Sequence, residues 1–264
     1  MVSRIVILTS GRSGPASECL PELCASGELH VVGVILAHRA SISGWKKIRR
    51  KIRKVLRIGI GGALNGIRMR TWYADVLARD IADVCAEENV PFFEVPHVNG
   101  EETRELFRRL EPELGVSLSN SYISQRVFTL PKFGMINVHG ERLPQYQNAQ
   151  SVIWPIYHDE TKTGLTIHQI DKGIDTGAIL YREEFDILFS PRLEDTVRRT
   201  IAVTRARTAR AVRLVCENYP QLAADAIKQV PGNWFTTPSL FQFFRMVRNN
   251  TRQYRRSIDG QRPG

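Results

Sequence analysis

The chain has 264 residues, 42% hydrophobic and 24% charged, which excludes a mostly disordered chain and fits one large domain or one domain with an appendage. No apolar run approaches the ~18 residues of a membrane-spanning helix. The start, Met1 to Thr9, has too short an apolar run for a signal peptide, and the four cysteines (Cys19, Cys24, Cys85, Cys216) form no C-x-x-C pair, so free thiols in the cytoplasm are expected. The net charge of +10 is concentrated: residues 29–74 hold eleven Lys/Arg and no acid, residues 241–264 hold six Arg and one Asp, and the remainder sits near −6.

Arg4 to Thr9 is a short apolar run followed by Ser10-Gly11-Arg12-Ser13-Gly14-Pro15, the pattern of a buried strand ending in a glycine turn. A helix is expected from about Ser17 to Ser26, then a second buried strand from His30 to Leu36. Strand, glycine turn, helix, strand is the opening of a parallel α/β sheet. Residues 40–71 interrupt the rhythm. Tyr73 to Glu88 has the spacing of a crossover helix, with Val76, Leu77, Ile81, Val84 and Cys85 apolar. Short strands follow at Pro91–Pro96, Val116–Ser119 and Met135–His139, with a helix ending near Leu110. Leu165–Ile170 and Gly177–Tyr181 read as an antiparallel pair around the loop Asp171–Thr176. A long helix is expected from Leu193 to Asn218, then a proline-broken tail.

Asn137 and His139 are two apart on a strand, so both side chains share a face at the rim where parallel sheets bind ligands. An amide there can donate to a developing oxyanion, and an imidazole can accept a proton near neutral pH. Asp175, 36 residues past His139, sits in a glycine-flanked loop and could orient the imidazole. On residue types alone, a hydrogen-bonded structural histidine is the commoner reading.

The surrounding motif changes that balance. Asn137-x-His139, Leu143-Pro144-Gln145-Tyr146, Thr163-Gly164-Leu165-Thr166-Ile167-His168 and Asp175-Thr176-Gly177 resemble the folate-dependent formyltransferases, densely over residues 135–180 and more loosely over 1–36 and 118–134. The resemblance implies an α/β fold: a Rossmann-like formyltransferase domain with a mostly parallel sheet over residues 1–190, carrying a basic insert at about 40–71. A helical C-terminal extension with an Arg-rich tail would fill residues 191–264. It implies that Asn137 holds the formyl oxygen, His139 assists proton transfer and Asp175 supports His139. The donor would be 10-formyltetrahydrofolate, used as a co-substrate with no metal. Its pterin would be contacted by Ser121, Tyr122, Ile123, Asp171, Lys172, Gly173 and Ile174. The acceptor expected from the resemblance is an amino sugar linked to a nucleotide diphosphate, as in O-antigen biosynthesis. A chain of this length lacks room for the extra tRNA-binding domain of methionyl-tRNA formyltransferase, and nucleic acid is not the expected partner. A methionyl-tRNA formyltransferase-like enzyme, a formyltetrahydrofolate deformylase and a binding module without catalysis are the alternatives.

Two departures from the family pattern leave the acceptor open. Gly140-Glu141 replaces the usual Pro-Ser, and Gln147-Asn148 replaces Arg-Gly. Glu141, Tyr146, Gln147 and Asn148 are therefore candidate acceptor contacts, although Glu141 could equally cap a turn. Gly11, Arg12 and Ser13 are candidate phosphate contacts, against the plainer reading of a strand-to-helix turn. Trp45 to Arg57 carries eight Lys/Arg, with Trp45, Ile48, Ile52, Val55 and Leu56 at helical spacing. That segment suits an inserted helix packed on the body, weak contact with an anionic membrane surface, RNA, or a diphosphate. Ile58 to Ala63 reads as a flexible hinge. Gly232 to Phe244 carries aromatics suited to packing a terminal helix or, as a rival, stacking a base. The Arg-rich end reads as a solvated helix. Sugar-modifying members of this family often form dimers, and a homodimer is left open.

Overall fold

The structure is a computed structural model that describes residues 2–38, 44–74, 79–230 and 232–259. In chain order the first elements are β1 (Arg4–Thr9), α1 (Pro15–Cys24), β2 (His30–Ala37), α2 (Gly44–Arg70), α3 (Ile81–Glu87) and β3 (Phe92–Val95). Next come α4 (Glu101–Leu110), β4 (Leu114–Leu118), α5 (Gln125–Phe128), β5 (Met135–His139) and α6 (Ile153–Tyr157). The chain continues through β6 (Lys162–Gln169), β7 (Ile179–Asp186), α7 (Leu193–Glu217), α8 (Tyr219–Ala224) and α9 (Leu240–Asp259).

The described strands form one sheet in the order β3-β2-β1-β4-β5-β6-β7. The first five are parallel; β6 runs antiparallel to β5, and β7 antiparallel to β6. Alternate residues of β1 serve opposite cores because side chains alternate across a strand. Ile5 and Ile7 meet Leu20 and Leu23 of α1 and Val212 and Val215 of α7. Val6 and Leu8 meet Phe107 of α4 and Val127 of α5. Both faces are covered, which is why the strand reads as a continuous apolar run. The order reverses direction between β1 and β4, and a cleft beyond the strand ends is expected at such a switch.

Several expectations need correction. The crossover helix begins at Ile81, not Tyr73, because extended Asp80 caps it by accepting from the Ala82 N–H at 2.9 Å. Val76 and Leu77 lie outside the described residues. The glycine stretch after Ile58 is helical and not a loose hinge: α2 bends at Gly59 (φ 75°) and continues to Arg70. Gly61 and Gly62 lie so close to Leu240 and Ser239 that a Cβ would come within 3.1 and 3.3 Å, and this contact fixes the segment. The Arg-rich end is also more than a solvated helix. In α9, Met246 is buried and Asn249 donates to the carbonyls of Ile156 and Tyr157 at 2.9 and 3.0 Å. Gln253 donates to Asp159 O at 3.1 Å. These amides bind α9 to the carbonyls at and just beyond the end of short α6.

Candidate functional site

β5 delivers Asn137 and His139 to the floor of a cavity of about 350 Å³ at the carboxyl ends of the parallel strands. Asn137 sits in register between Ser117 of β4 and His168 of β6. Ser117 donates its hydroxyl to Asn137 Oδ1 at 3.1 Å and accepts from Asn120 Nδ2 at 3.0 Å. Asn120 also donates to Leu8 O at 2.6 Å and accepts from Ser10 Oγ at 2.9 Å. This chain of bonds runs from the end of β1 to the Asn137 amide. On the other side, Asn137 Nδ2 lies 3.3 Å from His168 Nε2, while His168 Nδ1 donates to Gln169 O at 2.8 Å. The His168 ring thus carries its proton on Nδ1 and accepts from Asn137 through Nε2.

His139 is buried and gives its Nε2–H to Tyr146 O at 2.8 Å. Its Nδ1 therefore faces Asp175 Oδ2, 3.5 Å away, and Asp175 Oδ1 lies 3.7 Å from His168 Nε2. Burial pushes the His139 pKa below the ordinary histidine value, against an upward pull from the Asp175 charge. Burial alone would raise Asp175. His168 and His139, when their rings are protonated, and the Asn148 N–H, which donates to Oδ2 at 3.0 Å, outweigh it and hold the carboxyl below its usual range.

Ser119, Asn148 and Asp175 line this cavity with positive φ of 61°, 53° and 55°. Non-glycine residues in that region carry local strain, and such strain clusters where a site dictates the backbone. Ser121, Tyr122 and Ile123 line the cavity together with Asp171, Gly173 and Ile174. Asp171 Oδ1 braces its own loop, accepting from Gly173 N at 2.9 Å and Thr176 Oγ1 at 2.6 Å. Asn99 braces the facing segment through Tyr122 O and Ser124 N at 2.9 and 2.7 Å. Lys172 is exposed and not part of the lining.

Of the candidate acceptor contacts, only Asn148 lines this cavity. Glu141 is fully buried and holds the loop after β5: it accepts from Val152 N and Thr163 Oγ1, each at 2.6 Å, and from Arg142 N at 3.3 Å. It has no face left for a ligand, and its place is that of an internal anchor. Burial raises its pKa to about 7 despite those donors. Tyr146 is buried against Phe235 and donates its hydroxyl to Glu160 at 2.8 Å. Gln147 pairs its backbone with Asn233 and Phe235 and donates its side-chain amide to Asp175 O at 3.3 Å. Gly11, Arg12 and Ser13 do not line the cavity, and Arg12 is paired with Asp80 and Glu94.

His168, Ser117 and Asn120 complete the site; the sequence marks His168 only as the end of a family motif, without a role, and does not mark Ser117 or Asn120. The alternation of Thr166 and His168 along β6 was the available signal; it needed the β5–β6 register to be read. Among the described residues no group of three or more His, Cys, Asp or Glu is arranged to hold a metal ion. None of the described helices is long and apolar enough to cross a membrane.

The sequence matches the Formyl transferase family over residues 73–212. It is 33% identical over 108 residues to a methionyl-tRNA formyltransferase of Kosmotoga olearia, covering 40% of this chain and 35% of that protein. The chain thus spans about a third of the length of that curated relative. The fold is similar to glycinamide ribonucleotide transformylase 1 from Symbiobacterium toebii (TM-score 0.54, 17% identity, 82% of this chain and 89% of that one). It is also similar to the N-formyltransferase of Helicobacter canadensis solved with folinic acid and dTDP-3-aminofucose (TM-score 0.52, 15% identity, 96% and 81%).

Proposed function

Because the chain belongs to the folate-dependent formyl transferase family, we propose that it moves a formyl group from 10-formyltetrahydrofolate to the primary amine of a nucleotide-linked amino sugar. The observation that carries this reading is the convergence of Asn137, His139 and Asp175 on one cavity. The cavity's walls fit the donor: Ile123, Ile170 and Ile174 offer apolar contact to a flat ring, and the backbone beside them offers polar edges. When bound, the donor supplies a reactive one-carbon carbonyl.

The chain's own residues supply the rest. An amide has two N–H groups; Asn137 turns one toward His168 and keeps one for the oxygen on which charge builds as a neutral amine attacks. His139 is neutral near pH 7 because burial disfavours its cation. With Nε2–H given to Tyr146 O, the nitrogen that accepts the amine's proton is Nδ1. Asp175, ionised and 3.5 Å away, then stabilises the imidazolium, which gives the proton on to the donor's nitrogen as the bond from that nitrogen to the formyl carbon breaks and the formyl group stays on the amine.

A second cleft, of about 620 Å³, supports the acceptor assignment. Trp154, Tyr157, Trp234 and Phe235 give it aromatic walls, and Arg57 adds a guanidinium, a combination suited to a base and a phosphate. Asn148 ties the two linings together: its N–H donates to Asp175 Oδ2 at 3.0 Å in the catalytic cavity and its side-chain amide donates to the carbonyl of Phe235, in this cleft, at 2.8 Å. In this reading residues 1–190 carry the chemistry and 191–264 contribute Trp234 and Phe235 to the acceptor side. A tRNA acceptor is the second reading, favoured by the sequence match to a methionyl-tRNA formyltransferase. Incubation with the donor and a panel of nucleotide-linked amino sugars tests the proposal: a mass gain of one formyl group on a sugar supports it. Formylation of aminoacyl-tRNA alone would favour the second reading, and free formate released without any acceptor would mark a hydrolase.

A further inference from the structure

Helix α2 leaves its apolar stripe uncovered. Trp45, Ile48, Ile52 and Leu56 recur every three or four residues and are 73%, 47%, 53% and 81% exposed. Beyond the bend at Gly59, Ile60, Leu64 and Ile67 repeat the pattern and are also exposed. The helix is nonetheless tied to the body on another side, through buried Ile58 and Met69 and the contact of Gly61 with Leu240. Next to that contact in the chain, Phe241 and Phe244 are exposed as well. An apolar area of this kind is uncommon on a protein surface without a partner.

The charge beside the stripe identifies the partner's chemistry. Arg49, Arg53 and Arg57 each directly follow an exposed apolar residue and are themselves exposed, so they form a row about 100° around the helix from the stripe. Residues 29–74 contain no acid. A second copy presenting the same face would bring like charges together. RNA would pair with the arginines but leave Ile48, Ile52, Leu56 and Ile60 in water. An anionic bilayer surface takes both: the apolar side chains enter the boundary of the acyl region while the arginines meet lipid phosphates. We propose that α2 docks this protein in the plane of an anionic membrane surface, with Trp45, Ile48, Ile52 and Leu56 inserted and Arg49 and Arg53 on the headgroups.

Flotation of the full chain with vesicles tests this. Vesicles of phosphatidylcholine alone are compared with vesicles containing about a third phosphatidylglycerol. The chain is expected to float with the anionic vesicles only, and less so as salt is raised. Partitioning is expected to fall by roughly tenfold or more in Ile52→Ser/Leu56→Ser, and again in Arg49→Glu/Arg53→Glu. Both double variants alter exposed positions, and an unchanged melting temperature shows that each is folded. Equal binding by wild type and the Ser double variant would overturn the proposal, since the stripe would then not insert. So would absence of vesicle binding with self-association that the Ser variant abolishes, which marks a second copy. So would RNA binding, without vesicle binding, that the Glu variant abolishes.

Discussion

Asn137 and His168 face each other in register across β5 and β6, with the Asn137 amide nitrogen 3.3 Å from His168 Nε2. Ser117 holds the amide's other end through Oδ1 at 3.1 Å. A primary amide pinned at both ends has one orientation, and its remaining N–H is then fixed in direction. Ser117→Ala removes one pin but leaves the amide in place. We expect kcat to fall roughly fivefold to tenfold, in line with one hydrogen bond, with little change in donor KM. His168→Gln, which keeps an acceptor, should retain more activity than His168→Leu. Steady-state kinetics of the three variants check this.

The proton-transfer role proposed for His139 fixes the direction of the pH dependence. The ring must be neutral to accept a proton, so the rate should fall as pH drops through a His139 pKa that burial sets below 6.5. Asp175's charge pulls that pKa upward. Removing it in Asp175→Asn should move the acid limb of kcat/KM to lower pH while lowering the plateau, because the imidazolium loses its counter-charge. A limb that moves to higher pH would contradict the assigned coupling.

Glu141 makes a separate prediction about stability. Its pKa is raised from 4.5 to about 7 in the native state, mainly by burial. Between those values the unfolded chain has lost the proton and the native chain keeps it, so stability falls as pH rises through this window. The lost stability amounts to about 3 kcal/mol. Glu141→Gln removes this titration, and its urea-denaturation stability should stay flatter than that of the wild type from pH 5 to pH 8.

Gly177 follows the Asp175-Thr176 pair, and a Cβ there would lie 1.8 Å from Gln169 O. The clash is with backbone at the end of β6, next to His168, so a rotamer change cannot relieve it. Gly177→Ala should cost about 1–3 kcal/mol and displace the 171–175 loop. Thermal melts should show the loss, and donor KM should rise more than kcat falls.

The sequence makes the strand that carries Asn137 and His139 legible because apolar runs, glycine turns and the two-residue spacing of that pair are local signals. The 171–175 loop is legible for the same reason. His168 and Ser117 are not, since their roles arise from strand register: each becomes a neighbour of Asn137 only after β4 and β6 pair with β5. Glu141 misleads because a charged residue beside a site suggests a ligand, whereas three local donors and complete burial make it an internal anchor. The amphipathic spacing of α2 is visible in sequence, but its exposed stripe is a property of where the body ends.

The most direct test of the account is the acceptor-dependent rate of formyl transfer by Asn137→Ala against the wild type, with donor binding measured alongside. The account predicts a kcat loss of roughly 10²–10³-fold, the usual cost of one oxyanion donor, with donor affinity nearly unchanged. Equal kcat in the two proteins, or a loss that appears wholly in donor binding, would contradict it.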